Sequence, residues 1–192
     1  TYTGYLRWQS DTNDALEKEL IQFCEGDALP IITFGSVSFD NIQYIMSRFE
    51  KNWPKGQKII LQSGWAGLSI QINRPEIKII DQVSHDQLFK YAACVIHHGG
   101  AGTTASVLHA GIPHVVVPHL GDQGFWAKEI VRLGAGIRLS KKHWPERLYK
   151  AVQRVRGELH YAENARFCAD QLSKESGSLH AVSVLESFVK GK

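Results

Sequence analysis

The residues best suited to chemistry lie together in the run HHGGAGTT, His97 to Thr104. Three glycines within four residues, Gly99, Gly100 and Gly102, leave the backbone free to approach a bulky anion. The run follows an apolar burst, Ala93 to Ile96, and precedes an apolar helical pattern. The unpaired N–H groups and positive dipole end of that helix should therefore point at whatever the loop holds. This is the pattern of a diphosphate cradle. His98 can donate a ring N–H to a phosphate oxygen, while Thr103 and Thr104 can cap the helix or add hydroxyl donors.

Two other turns carry polar groups at the ends of apolar bursts. In FGS, Phe34 to Ser36, Gly35 permits a tight turn, and Ser36 either caps the following helix or offers its hydroxyl to a ligand. In HLGDQGFW, His119 to Trp126, Asp122 and Gln123 are adjacent on a glycine-flanked turn. A carboxylate accepts bonds from hydroxyls and an amide both donates and accepts, so the pair suits a sugar. The competing reading is that Asp122 caps the next helix.

Rival chemistries fit less well. In the dinucleotide fingerprint GxGxxG the third glycine position holds Ala105, which some variants allow, but the next strand ends at Val117 and Pro118 rather than at a ribose-binding acid. A metal hydrolase could draw on His97, His98, His109, His114 and His119. Neighbouring histidines on a strand point to opposite faces, however, and no HxxxH pair with a nearby glutamate occurs. No DxD motif is present, so no divalent metal and no cofactor are assigned.

The elements that must position these turns alternate along the chain. Short apolar bursts at Pro30 to Gly35, Lys58 to Gln62, Ile77 to Asp81, Ala93 to His97, His114 to Pro118 and Gly136 to Leu139 have the length of buried strands. Between most of them lie amphipathic segments, Asn41 to Asn52, His85 to Tyr91, Thr103 to Ala110 and Gln123 to Leu133. Consecutive βα units with nearly continuous apolar strands predict an α/β, Rossmann-like parallel sheet with helices on both faces. In such sheets ligands sit at the carboxyl ends of the strands, where all three turns fall. A leading linker and helix over residues 1–28 precede the first strand, and closing helices occupy 158–192. The whole of 1–192 reads as a single domain.

Composition narrows the function further. The 192 residues are 43% hydrophobic and 21% charged, enough to bury a core without disulfides or metals. Twenty-two Lys and Arg against 19 Asp and Glu, with no long like-charge run, imply no nucleic-acid partner. Cys24, Cys94 and Cys168 are odd in number and outside any CxxC spacing, which fits a reducing, cytoplasmic setting. No apolar run approaches the length of a membrane span.

The continuous stretch HHGGAGTTASVLHAGIPHVVVPHLGDQGFWAKEIVRLGAG resembles the donor-binding signature of the UDP-glycosyltransferase superfamily, and within it most resembles the sterol 3-O-glucosyltransferases. FGS, SGWAGL at Ser63 to Leu68 and VSHDQLF at Val83 to Phe89 extend the similarity in the same order. The resemblance implies the C-terminal half of a GT-B enzyme, which holds the nucleotide sugar, while an N-terminal half holds the acceptor and supplies the catalytic base. No catalytic residue is therefore assigned to this chain, and alone it is expected to be inactive. By the same resemblance Val83 would meet the uracil through its backbone, with His85 beside it and Trp65 as a wall of the base pocket. Ser36 and His98, with the backbone of Gly100, Ala101, Gly102 and Thr103, would hold the diphosphate, and Asp122 and Gln123 the hexose. One position departs from the plant branch: the glutamate that holds the ribose there is Ser106 here.

The expected function is thus donor binding in an inverting transfer of a hexose, glucose from UDP-glucose, to a hydroxyl of a lipid-like or other small acceptor. The expected partners are the UDP-sugar and an N-terminal acceptor domain, with membrane contact only through that other half. The alternative is a non-catalytic nucleotide-binding module, or a separately encoded donor subunit that needs a partner.

Overall fold

The computed structural model describes residues 3–5, 13–35, 41–63 and 72–190. Six strands form one sheet: β1 Leu29–Thr33, β2 Ile59–Gln62, β3 Ile77–Ile80, β4 Ala92–His97, β5 His114–Val116 and β6 Gly136–Arg138. Every pairing is parallel and the order is β3-β2-β1-β4-β5-β6. This is the Rossmann order, in which the chain reverses direction across the sheet between β1 and β4. The α/β, Rossmann-like expectation holds.

Burial explains why the strands read as apolar runs. All five residues of β1 are buried, because both faces of the sheet are covered. On one face Ile31, Ile60 and Val95 pack against α1 (Asp14–Cys24), α3 (His85–Leu88) and α4 (Ala101–His109) through Leu20, Leu88 and Val107. Ile32, Leu61 and Ile96 face the other way, onto α2 (Ile42–Asn52) and α6 (Trp144–Gly157), through Phe49, Leu148 and Val152. Val116 meets Ala127 and Ile130 of α5 (Gln123–Arg132). Each such side chain contributes about 1.5–3 kcal/mol relative to exposure.

The fully buried Trp144 opens α6, with its ring 5.4 Å from Phe34 and 6.2 Å from Phe49. Pro145 follows it in the first turn, where a missing N–H costs nothing. Arg74 closes the end of α2 by donating to the carbonyls of Glu50, Trp53 and Pro54. Two last helices, α7 (Leu159–Leu172) and α8 (Gly177–Lys190), complete the chain, with α7 packed on α4 and α6.

One boundary differs from expectation in a way that matters. Helix α4 begins at Ala101, two residues before Thr103, and Gly100 is its N-cap in an extended conformation. The glycine-rich run read as loop therefore supplies the first helical turn, so its free N–H groups lie deeper in the loop than the apolar period suggested.

Candidate functional site

Gly35, at the end of β1, turns with φ +56°, and the end of β4 leads into Gly99 with φ +88°. Between these two turns opens a cleft of about 280 Å³. Its walls include Val83, His85, His98, Gly100, Ala101, Gly102 and Thr103, seven of the expected site residues. Ser36 and Trp65 lie outside the described residues.

On one side stands the α4 terminus. Gly100 caps it with no side-chain hydrogen bond, and Thr104 N donates to Gly100 O at 2.9 Å, the first bond of the helical ladder. The N–H groups of the turn before that bond are the ones a helix cannot satisfy internally. A β-carbon at Gly100 would lie 2.3 Å from His98 Nε2, so only glycine lets the ring lie across the helix terminus. His98 Nδ1 is buried without a hydrogen-bond partner among the described residues. Burial holds its pKa below the ordinary histidine value, with Asp122 pulling it partly back and His85 adding to the lowering. The neutral ring favoured by burial still keeps one N–H that can donate to an anion.

The other side is formed by residues that sequence reasoning did not single out: Thr33, Gln62, Ser63 and Gln82. Gln62 is 6% exposed, and its Nε2 donates to Val83 O at 2.9 Å, fixing the backbone expected to read the base. A polar residue ending the apolar burst at Lys58 to Gln62 was the available signal. His85 starts α3, capped by Ser84, which accepts from Gln87 N at 3.2 Å. Its ring stacks on Phe89 at 4.7 Å, and burial lowers its pKa while Asp86 raises it.

The two threonines separate. Thr103 lines the cleft, whereas Thr104 is 2% exposed with its hydroxyl buried, so it belongs to the core side of the helix. Ser106, the residue that departs from the plant-branch pattern, donates to Gly102 O at 3.0 Å, and the Tyr5 hydroxyl reaches the same carbonyl at 3.4 Å.

Asp122 and Gln123 lie just beyond the cleft walls, and each already has a partner. Gln123 is 7% exposed, and its Oε1 accepts from His119 N at 2.7 Å and Leu120 N at 3.1 Å, so it braces its own turn. Asp122 occupies the N-cap position of α5 without capping it; its Oδ2 accepts from Trp126 Nε1 at 2.8 Å. A carboxylate offers about four lone-pair sites, so this bond leaves capacity for hydroxyls. The turn lies directly against the glycine-rich loop, since a β-carbon at Gly99 would meet Gln123 O at 3.1 Å.

Behind the loop, His97 and His114 are wholly buried, with His97 Nε2 2.9 Å from His114 Nδ1. Burial drives His97 well below the usual histidine pKa, helped by His114, and brings His114 to about 3. Among the described residues no group of three metal-binding side chains converges.

Comparison with known proteins accords with this geometry. Residues 59–184 match the family model described as Erythromycin biosynthesis protein CIII-like, C-terminal domain. A sterol 3-beta-glucosyltransferase of Candida albicans is 36% identical over 200 residues, covering 96% of this chain and 13% of that protein. The chain spans between 12% and 20% of the length of such curated relatives. Among solved structures, the kitacinnamycin glycosyltransferase superposes with a TM-score of 0.75 at 22% identity, over 84% of this chain and 43% of that one. A Streptomyces sp. SF2575 glycosyltransferase complexed with thymidine diphosphate gives 0.64 at 21% identity, over 83% and 42%. The family match spans the sheet from β2 onward and every cleft-lining residue except Thr33 and Gly35, and on it the chain belongs to the erythromycin biosynthesis protein CIII-like C-terminal domains, the C-terminal halves of GT-B glycosyltransferases.

Proposed function

We propose that this chain holds the nucleotide-sugar donor of an inverting glycosyltransferase, and that the complete enzyme moves glucose from UDP-glucose to a hydroxyl of a lipid-like acceptor. The observation that carries the reading is the α4 terminus, which Gly100 caps without a side-chain hydrogen bond, with the half-buried His98 ring laid across it. A helix terminus and a histidine N–H converging on one cleft suit a diphosphate. The base would lie toward Val83 and His85, the hexose toward Asp122 and Gln123, and Ser36 and Trp65 complete the assignment.

Inversion requires a base that deprotonates the acceptor hydroxyl while the nucleoside diphosphate leaves from the opposite side of the anomeric carbon. That base belongs to the acceptor half. The share of this chain is to offset the charge developing on the departing phosphate, which preorganised donors stabilise by about 3 kcal/mol each in other enzymes. Glucose and the lipid-like acceptor are carried over from relatives named sterol 3-beta-glucosyltransferase. A thymidine diphosphate complex of a structural neighbour makes uracil against thymine the choice to test.

Calorimetry with UDP, thymidine diphosphate, UDP-glucose and NAD tests the reading. Heat with UDP and UDP-glucose, less with thymidine diphosphate and none with NAD is expected. No heat with millimolar UDP alongside clear binding of NAD ends it.

A further inference from the structure

The buried pair His97 and His114 lies outside the cleft, yet its hydrogen bonds end on the phosphate loop. In the β4–β5 register Val95 pairs with His114 and His97 with Val116. His97 is two residues beyond Val95, so it shares a sheet face with His114 and meets it diagonally. The backbone N–H of Gly99 donates to His97 Nδ1 at 3.1 Å. A backbone amide can only donate, so that nitrogen carries no proton. Neutral His97 must then carry its proton on Nε2, which donates to His114 Nδ1 at 2.9 Å. His114 in turn keeps its proton on Nε2, which is buried without a partner among the described residues.

We propose that His114 is a positioning residue for the phosphate loop: by accepting from His97 Nε2 it locks His97 in the tautomer that accepts the Gly99 N–H. Gly99 directly precedes Gly100, the N-cap of α4, so the relay sets where the cradle begins. The left-handed turn at Gly99 is crowded, with Val116 Cγ1 2.8 Å from a β-carbon built there. A second anchor on its amide keeps this turn from relaxing. The unpartnered Nε2 of His114 has a physical reason on this account. A buried polar group left unsatisfied is costly, and it is tolerated here because the other ring nitrogen is committed to His97. Burial keeps both rings neutral, which the relay requires, since protonation of His97 Nδ1 would abolish the acceptor.

The inference rests on the diphosphate reading for its consequence but not for its geometry, and the experiment separates the two. In the unliganded protein, long-range ¹⁵N NMR should show His97 protonated on Nε2 and not on Nδ1; a proton on Nδ1 overturns the proposal. In His114→Leu, exchange of the Gly99 amide should speed up roughly five- to tenfold while the Val95 amide stays protected, and His114→Asn, whose Oδ1 can accept near the lost Nδ1, should recover most of the protection. UDP should weaken by a similar factor in His114→Leu while uridine does not. Equal weakening of both ligands, or unchanged Gly99 exchange in a folded His114→Leu protein, overturns it. Absence of UDP binding by the unsubstituted protein counts against the donor-binding reading, and the relay is then judged by the tautomer and the Gly99 exchange.

Discussion

His98 and Gly100 approach so closely that a β-carbon at position 100 would stand 2.3 Å from His98 Nε2 and 3.1 Å from its Cδ2. The backbone at Gly100 is ordinary, φ −63° and ψ 144°, so alanine there meets a ring rather than a forbidden conformation. Gly100→Ala should therefore swing His98 aside and weaken UDP, with a melting temperature close to that of the unsubstituted protein. Gly99→Ala is the contrast. Its φ of +88° and its contact with Val116 make it destabilising, and thermal unfolding with UDP titration separates the two.

His98→Ala should lower UDP affinity by about 1.5–3 kcal/mol, the usual loss for one hydrogen bond to a charged group, and leave the fold intact. His97→Ala should act on stability first, because it empties a wholly buried site, and by freeing the Gly99 amide and His114 it should weaken UDP as well. Unchanged UDP affinity in folded His98→Ala removes the ring from the cradle.

At the neighbouring turn the two polar residues should behave differently. Gln123→Ala leaves the His119 and Leu120 amides without their acceptor and should cost about 1–3 kcal/mol of stability, read by urea unfolding. Asp122→Asn keeps an acceptor for Trp126 but loses the charge, so UDP-glucose should weaken while UDP does not. Equal effects on both ligands would make Asp122 a brace like Gln123.

Acid should unfold the chain early. Burial lowers the folded pKa of His97 far below 6.5, of His114 to about 3 and of His119 to about 4, with Lys141 adding to the last. The unfolded chain binds protons at these residues from about pH 6.5 downward and the folded chain does not, so the stability is present above that pH and lost as pH falls below it. At pH 5 unfolding should take up about three protons through these residues. A urea midpoint that does not fall between pH 7.5 and pH 5 contradicts this.

The sheet was legible because its physics is local. Strands covered on both faces must be apolar throughout, so LPIIT, IILQ and AACVIH declare themselves, and glycines at 35, 99 and 100 mark the turns between strand and helix. The position of the cleft at the α4 terminus followed from those same glycines and the helix behind them. What sequence could not convey is who meets whom across strands. His97 and His114 are 17 residues apart and touch only through the β4–β5 register. Gln62 reaches Val83 because β2 and β3 end side by side, and Gln123 turns inward because two amides of its own loop await an acceptor. The histidine pair and Gln62 are committed by tertiary geometry, which residue type and spacing leave open, whereas Gln123 is committed within its own turn.

The reversal of the chain between β1 and β4 divides the cleft's construction in two. Gln62, Ser63, Gln82, Val83 and His85 come from the β2 and β3 run, while His98 and the α4 terminus come from the run that starts with β4. The two walls are thus built from separate stretches of chain, joined by the β1–β4 seam rather than by a shared loop. On the proposed donor-binding reading, substitutions at Gln62, Gln82 or Val83 should alter which base is preferred, while the Gly99 anchor stays untouched. Under that reading, selectivity for the nucleoside and grip on the diphosphate would be free to change independently within one fold.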